Sequence, residues 1–216
     1  MSDAVRVVHM GELERIEVAG VVYMPIRRRL GVRAFGINAY TAASAGDQVI
    51  ERHNEGGAGA GAHEELYLVI SGRAEFTVAG EAVDAPAGTL VFVPDLASER
   101  AAIAREPDTT VLVIGAPAAA PLPTSPFEYW FAAEPAYRSG DYDGAIAIAS
   151  EGLREWPDHP VINYQLACYH ALAGRRAEAL AHLATAVAGE PRTAGWAAGD
   201  ADFDSIRDDP VFPPPP

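Results

Sequence analysis

Between His63 and Pro94 the chain reads as four short strands punctuated by turns, and this stretch limits the fold more than any other. Leu66 to Ile70 is a nearly continuous apolar run of strand length, closed by Ser71-Gly72. Ala74, Phe76 and Val78 then alternate with Glu75 and Thr77, the period of a half-buried strand. Ala79-Gly80 turns the chain again. Pro86-Ala87-Gly88 breaks it, and Leu90 to Val93 is expected to be a buried strand that Pro94 ends. Short strands with Gly and Pro at this spacing point to an antiparallel sandwich or barrel.

The spacing of the turn residues resembles the cupin family. Its first motif ends in Glu, six residues and Gly, matched by Glu65 and Gly72. Its second runs Gly, five residues, Pro-x-Gly, matched by Gly80, Pro86 and Gly88. The resemblance implies a jelly-roll barrel, the double-stranded β-helix, over about residues 1–115. It does not imply one activity, because one fold hosts many functions.

Typical metal-binding cupins carry His-x-His ahead of the motif Glu and a third His after the second motif. At the usual spacing the first two positions here hold Ala58 and Ala60, and the third falls at Glu99. Read this way, the site has lost its imidazoles. Gly56 to Ala62 contains only Gly and Ala and reads as a flexible loop at the barrel rim. If that loop is an insertion, His53-x-Glu55 replaces His-x-His, and His63 lies two residues before Glu65. Alternate side chains of a strand share a face, so His53, Glu55, His63 and Glu65 become candidate ligands, with Glu99 opposite. Such a carboxylate-rich set suits a harder divalent ion such as Mn²⁺ or Fe²⁺, with Ni²⁺ and Zn²⁺ as the other candidates. In the competing reading His53 and Glu55 are polar rim residues and His63 merely begins a strand.

Ahead of this core, Val5, Val7 and Val8 suggest an opening strand, Ile16 and Val18 alternate with polar residues, and Val21 to Ile26 is an apolar run broken by Pro25. Arg27-Arg28-Arg29 follows, read either as a solvated turn or as an anion contact at the barrel mouth, since Arg offers several directed donors. Phe35, Ile37 and Ala39 alternate again, and Thr109 to Ile114 reads as the closing strand. The candidate ligand-binding residues are Arg27, Arg29, Tyr67 and Glu99.

Residues 116–126 hold four prolines and read as a semi-rigid linker. Beyond it the pattern becomes helical and repeats. Gly140 recurs as Gly174, Ala145 as Ala179 and Pro157 as Pro191, each 34 residues on. That is the tetratricopeptide period, and it predicts helices over 127–138, 141–155, 160–173 and 175–189 within a domain over 127–216. Two repeats fall short of the three or so that a stable stack needs, so this domain must lean on the barrel, on its own tail or on a second copy. Trp196, Phe203, Ile206 and Phe212 are the tail's apolar anchors. Phe127, Tyr129, Trp130 and Phe131 form an aromatic cluster suited to the seam with the barrel or to a dimer contact. Cys168, His170 and His182 read as packing or surface residues of the helices.

Lys plus Arg number 16 against 30 Asp plus Glu, for a net charge of −14, which argues against nucleic acid as a partner. No apolar run is long enough to span a membrane, the first residues lack a secretion-signal pattern, and the single cysteine fits a reducing cytoplasm. Two functions remain in view. One is a small-molecule-binding barrel with a degenerate metal site, joined to a helical domain for protein interaction or homodimerisation. The other is a metal-dependent cupin enzyme of isomerase, decarboxylase or dioxygenase type.

Overall fold

The computed structural model describes residues 7–18, 20–56, 60–120 and 122–214. Two compact units follow one another along the chain, Met1–Pro121 and Leu122–Pro216. The first is built from two antiparallel sheets. Its strands are β1 (Ile16–Val18), β2 (Val21–Met24), β3 (Gly36–Ala42), β4 (Gln48–His53), β5 (His63–Ser71), β6 (Arg73–Val78), β7 (Glu81–Pro86), β8 (Leu90–Val93), β9 (Arg100–Ala104) and β10 (Thr109–Pro117). One sheet runs β1-β2-β3-β10-β5-β8 and the other β4-β9-β6-β7. Consecutive strands therefore often lie in different sheets, as a jelly roll requires.

Period-two alternation builds the core between the sheets. Tyr67 and Val69 of β5, Ala74 and Phe76 of β6, Ala102 and Ala104 of β9 and Val111 of β10 are all buried. The Tyr67 and Phe76 rings meet at 5.4 Å. Gly72 makes the turn between β5 and β6 with φ at +71°, and a Cβ there would lie 2.8 Å from the Cα of Thr109. Its lack of a side chain thus serves both the turn and the close approach of β10.

Three local readings change. Val7 and Val8 precede a short 3₁₀ turn and form no strand, while Val5 lies outside the described residues. Leu90 and Phe92 are exposed, not buried, because β8 is an edge strand and only Val91 and Val93 face inward. Arg27 to Arg29 lie in a five-residue helix, α1 (Ile26–Leu30), that Gly31 ends in the left-handed conformation.

The second unit contains α2 (Pro126–Ser139), α3 (Tyr142–Glu155), α4 (Pro160–Leu172), α5 (Arg176–Gly189) and α6 (Arg192–Gly199). Ser125 caps α2 in a capping box with Glu128, and Pro126 occupies the first turn, where its missing N–H costs nothing. The 34-residue repeat is visible in three dimensions. Gly140 and Gly174 both have positive φ just past a helix, and Ala145 and Ala179 are both fully buried. The tail supplies the missing cover: Phe203 and Ile206 are buried in the helical core, and Phe212 packs against it.

Candidate functional site

The inner faces of the sheets enclose a cavity of about 480 Å³. Its polar wall is formed by Glu51 and His53 of β4, Glu55 just beyond that strand, and Glu65 and Tyr67 of β5. Tyr23 of β2 and Tyr40 of β3 add an aromatic wall, their rings 5.4 Å apart, and Val49, Ile50 and Val113 add apolar surface.

Alternation along β5 turns Glu65, Tyr67 and Val69 inward. On the opposing sheet the register of β4 and β9 sets His53 directly across from Arg100. These residues meet at a single oxygen. Glu65 Oε2 accepts a 2.5 Å hydrogen bond from the Tyr67 hydroxyl, lies 3.2 Å from His53 Nε2 and 3.3 Å from Arg100 Nε. Arg100 is fully buried and donates through Nη1 to the Ser98 carbonyl at 2.8 Å. His53 Nδ1 faces the Glu51 carbonyl at 2.6 Å, so both ring nitrogens face acceptors.

The electrostatics follow. The hydrogen bond to Glu65 raises the His53 pKa against the opposing effect of burial. Burial alone would push the Glu65 carboxyl up. The hydrogen bonds from His53 and Tyr67, with the charges of His53 and Arg100, outweigh it and hold the carboxyl below its ordinary range. Burial first, then the bond to Glu65, pushes the Tyr67 hydroxyl far above its usual value. Glu65 is thus a carboxylate, as a buried acid with such donors should be.

Glu55 reaches the same region by a different route. It lies beyond the end of β4, so strand alternation does not aim it. Instead its Oε2 accepts from the backbone N–H of Gly61 at 2.8 Å and of His63 at 3.4 Å, which ties it to the start of β5. Its Oε1 is 4.0 Å from His53 Nε2. One ligand-type atom each from His53, Glu55 and Glu65 lie within 4.8 Å of one another. His63 stays outside that group: it is part-exposed, with Nδ1 3.9 Å from Glu55 Oε2. Ala58 lies outside the described residues, and Ala60 is in the rim loop.

The other sequence candidates fall elsewhere. Tyr67 lines the cavity, but Arg27 and Arg29 do not; Arg27 borders a shallow surface depression with Tyr23, Arg33 and Asn38, and Arg29 borders another beside Glu14. Glu99 is exposed and paired with Arg52. The inward face of β9 begins one residue later, at Arg100, and continues at Ala102 and Ala104. One residue of register reverses the face of a strand, so counting from the second motif reached the wrong side chain. Arg100 had a signal of its own: it is the single charge in the strand Arg-Ala-Ala-Ile-Ala.

In the helical unit, Cys168, Asp200 and Asp202 also lie close together. Tyr164 donates to Asp200 at 2.9 Å and Tyr137 to Asp202 at 3.0 Å, and burial pushes the Cys168 thiol up. These contacts fasten the tail to α4 and α2, and a protonated buried thiol is a packing group.

Residues 136–199 match the tetratricopeptide repeat family model. No curated protein matches the chain. Several solved structures resemble the first unit. KdgF from Halomonas sp. is 18% identical, over 50% of this chain and 90% of that one, with a TM-score of 0.41. A sugar phosphate isomerase of the cupin superfamily from Silicibacter pomeroyi is 15% identical, over 51% and 75%, with a TM-score of 0.43. Pac13, a nucleoside dehydratase, is 17% identical, over 53% and 83%, with a TM-score of 0.39. The strand order, with Glu65 inward and Gly72, Gly80 and Gly88 at successive turns with positive φ, decides the fold. The first unit is a jelly-roll barrel of two antiparallel sheets. The second is a tetratricopeptide-like helical region. Nothing about activity follows from likeness at these identities.

Proposed function

We propose that the cupin barrel binds a small molecule in the cavity beside Glu65, and that its polar centre is neutralised by Arg100 in place of a metal ion. The observation that carries this is the shared oxygen: Glu65 Oε2 already serves Tyr67, His53 and Arg100. A doubly charged ion about 5 Å from a guanidinium is repelled by roughly 7 kcal/mol at an effective dielectric of about 20. That offsets part of what two carboxylates would contribute, and only one imidazole stands with them. The residues do not fit the divalent ion of typical cupins. Tyr67, His53, Glu55 and Glu65 are the residues that would meet a ligand.

A metal-dependent enzyme is the second reading, kept by the convergence of His53, Glu55 and Glu65 within 4.8 Å. Melting of metal-stripped protein with added Mn²⁺, Fe²⁺, Ni²⁺ or Zn²⁺ separates the two. The first reading expects no shift that His53→Ala removes. The helical unit is read as a contact surface for a protein partner or a second copy. The support is its exposed aromatic patch, in which Phe127 and Phe131 flank Trp130 and the Trp130 and Phe131 rings stack at 5.3 Å. Among the described residues no helix is long and apolar enough to cross a membrane. The single cysteine, buried at Cys168, supports a cytosolic setting.

A further inference from the structure

We infer that the barrel cavity selects an organic cation, a primary or secondary ammonium carried on a small apolar or aromatic body, and rejects anions. The inference rests on the binding-pocket reading above and deepens it. Charge comes first. Glu51, Glu55 and Glu65 all face the cavity, and among the described residues no Lys or Arg lines it. Arg100 lies behind Glu65 with its side chain fully buried, and Arg52, next to His53 in sequence, is turned outward to Glu99. The one cavity residue that can become positive, His53, is held by Glu65. An anion entering here would exchange water for a wall of carboxylates.

Unused acceptors come second. The three contacts at Glu65 all fall on Oε2, so Oε1 takes none of them. Glu55 spends Oε2 on the rim loop, and the nearest charged contact of its Oε1 is His53 at 4.0 Å. Among the described residues, two carboxylate oxygens at the cavity thus have no short donor. A carboxylate oxygen takes only donors, and charge-assisted bonds from N–H groups are the strong ones. An ammonium with N–H donors answers both oxygens, and a quaternary ammonium does not.

The aromatic wall comes third. Tyr23 and Tyr40 stand side by side at the cavity, tilted 43° to each other, and Tyr23 is steadied by its hydroxyl bond to Asn38 at 2.9 Å. Aromatic faces attract a cation and also cover an apolar body. A volume of about 480 Å³ suits a ligand of modest size. The protein's net charge of −14 concentrates cations around it before they enter.

Benzylamine, benzyl alcohol and benzoate test this, because they share a ring and differ in charge. Each is titrated into the full-length protein by calorimetry, with the His53, Tyr23 and Tyr40 ring signals followed by NMR to locate binding. Benzylamine is expected to bind at least about tenfold more tightly than benzoate, a factor typical of one charge-assisted contact, and to weaken as salt is added. Glu55→Gln keeps an acceptor for the rim loop, and Glu51→Gln alters a more exposed carboxylate. Both should weaken benzylamine and leave benzyl alcohol unchanged. Equal binding of all three, tighter benzoate, or benzylamine binding indifferent to both variants overturns the cation inference and leaves the pocket reading standing. Binding of none of the three removes both.

Discussion

Replacing Arg100 by Met tests the internal cation at its source. The guanidinium is fully buried, ion-paired with Glu65 Oε2 at 3.3 Å from Nε and hydrogen-bonded through Nη1 to the Ser98 carbonyl at 2.8 Å. Met fills a similar length of side chain with apolar atoms. Glu65, itself 8% exposed, then keeps only His53 and Tyr67 as partners. Breaking one side of a buried ion pair costs about 3–5 kcal/mol, because the remaining charge stays out of water. Removing both sides is much less costly, so Arg100→Met with Glu65→Gln should recover stability relative to the sum of the single variants. The expected coupling is about 2 kcal/mol or more. The assay must see the barrel alone. All three tryptophans, Trp130, Trp156 and Trp196, lie in the helical unit, so Trp fluorescence reports on that unit. Barrel unfolding in urea is followed instead by amide signals of buried strand residues such as Val69 and Val111. A single-variant cost below about 1 kcal/mol, the range of exposed pairs, would refute the reasoning. So would additivity in the double variant.

Gly72→Ala should destabilise the barrel by well over the roughly 1 kcal/mol expected of Gly88→Ala, since both have positive φ but only Gly72 lies against Thr109; equal urea midpoints for the two would contradict this. Phe203→Ala should cost the helical unit about 3–5 kcal/mol in urea unfolding followed by Trp fluorescence, because Phe203 is fully buried and closes a core of only two repeats; a cost under about 1 kcal/mol would show the tail to be dispensable. His170 and His182 stack at 5.3 Å, and burial lowers both pKa values in the folded state. The unfolded chain, titrating near 6.5, then binds more protons, so helical-unit stability should be complete above about pH 6.5 and fall as pH drops below it. His170→Gln with His182→Gln should flatten that slope in the same Trp-detected assay, and an unchanged slope would assign it to other groups.

The sequence was most legible where backbone geometry forced the residue. Gly72, Gly80 and Gly88 had to sit at turns, and Gly140 and Gly174 had to end helices, so strand and helix positions followed from them. It was least legible where a face depended on parity. Glu99 was expected at the site, yet Arg100 occupies it, because nothing in a loop of Asp, Leu, Ala and Ser shows where β9 begins to pair with β4. Leu90 and Phe92 misled for a related reason: an apolar run does not reveal that its strand is at the edge of the sheet. Tyr23 and Tyr40 were missed because they enter the cavity from β2 and β3, far in sequence from the two motifs. His53, Glu55 and Glu65 were within reach because Gly56 to Ala62 looks like a loop, and loops bring their flanks together.

Metal content is the most direct measure of whether Arg100 stands in for an ion. Protein purified without an affinity tag is analysed for Mn, Fe, Ni and Zn, then stripped and titrated with each ion while barrel unfolding is followed. Substoichiometric metal is expected, with no ion-dependent stabilisation that His53→Ala or Glu65→Gln abolishes. One ion per chain, lost in both variants, would contradict it and make the metal-dependent enzyme the better reading.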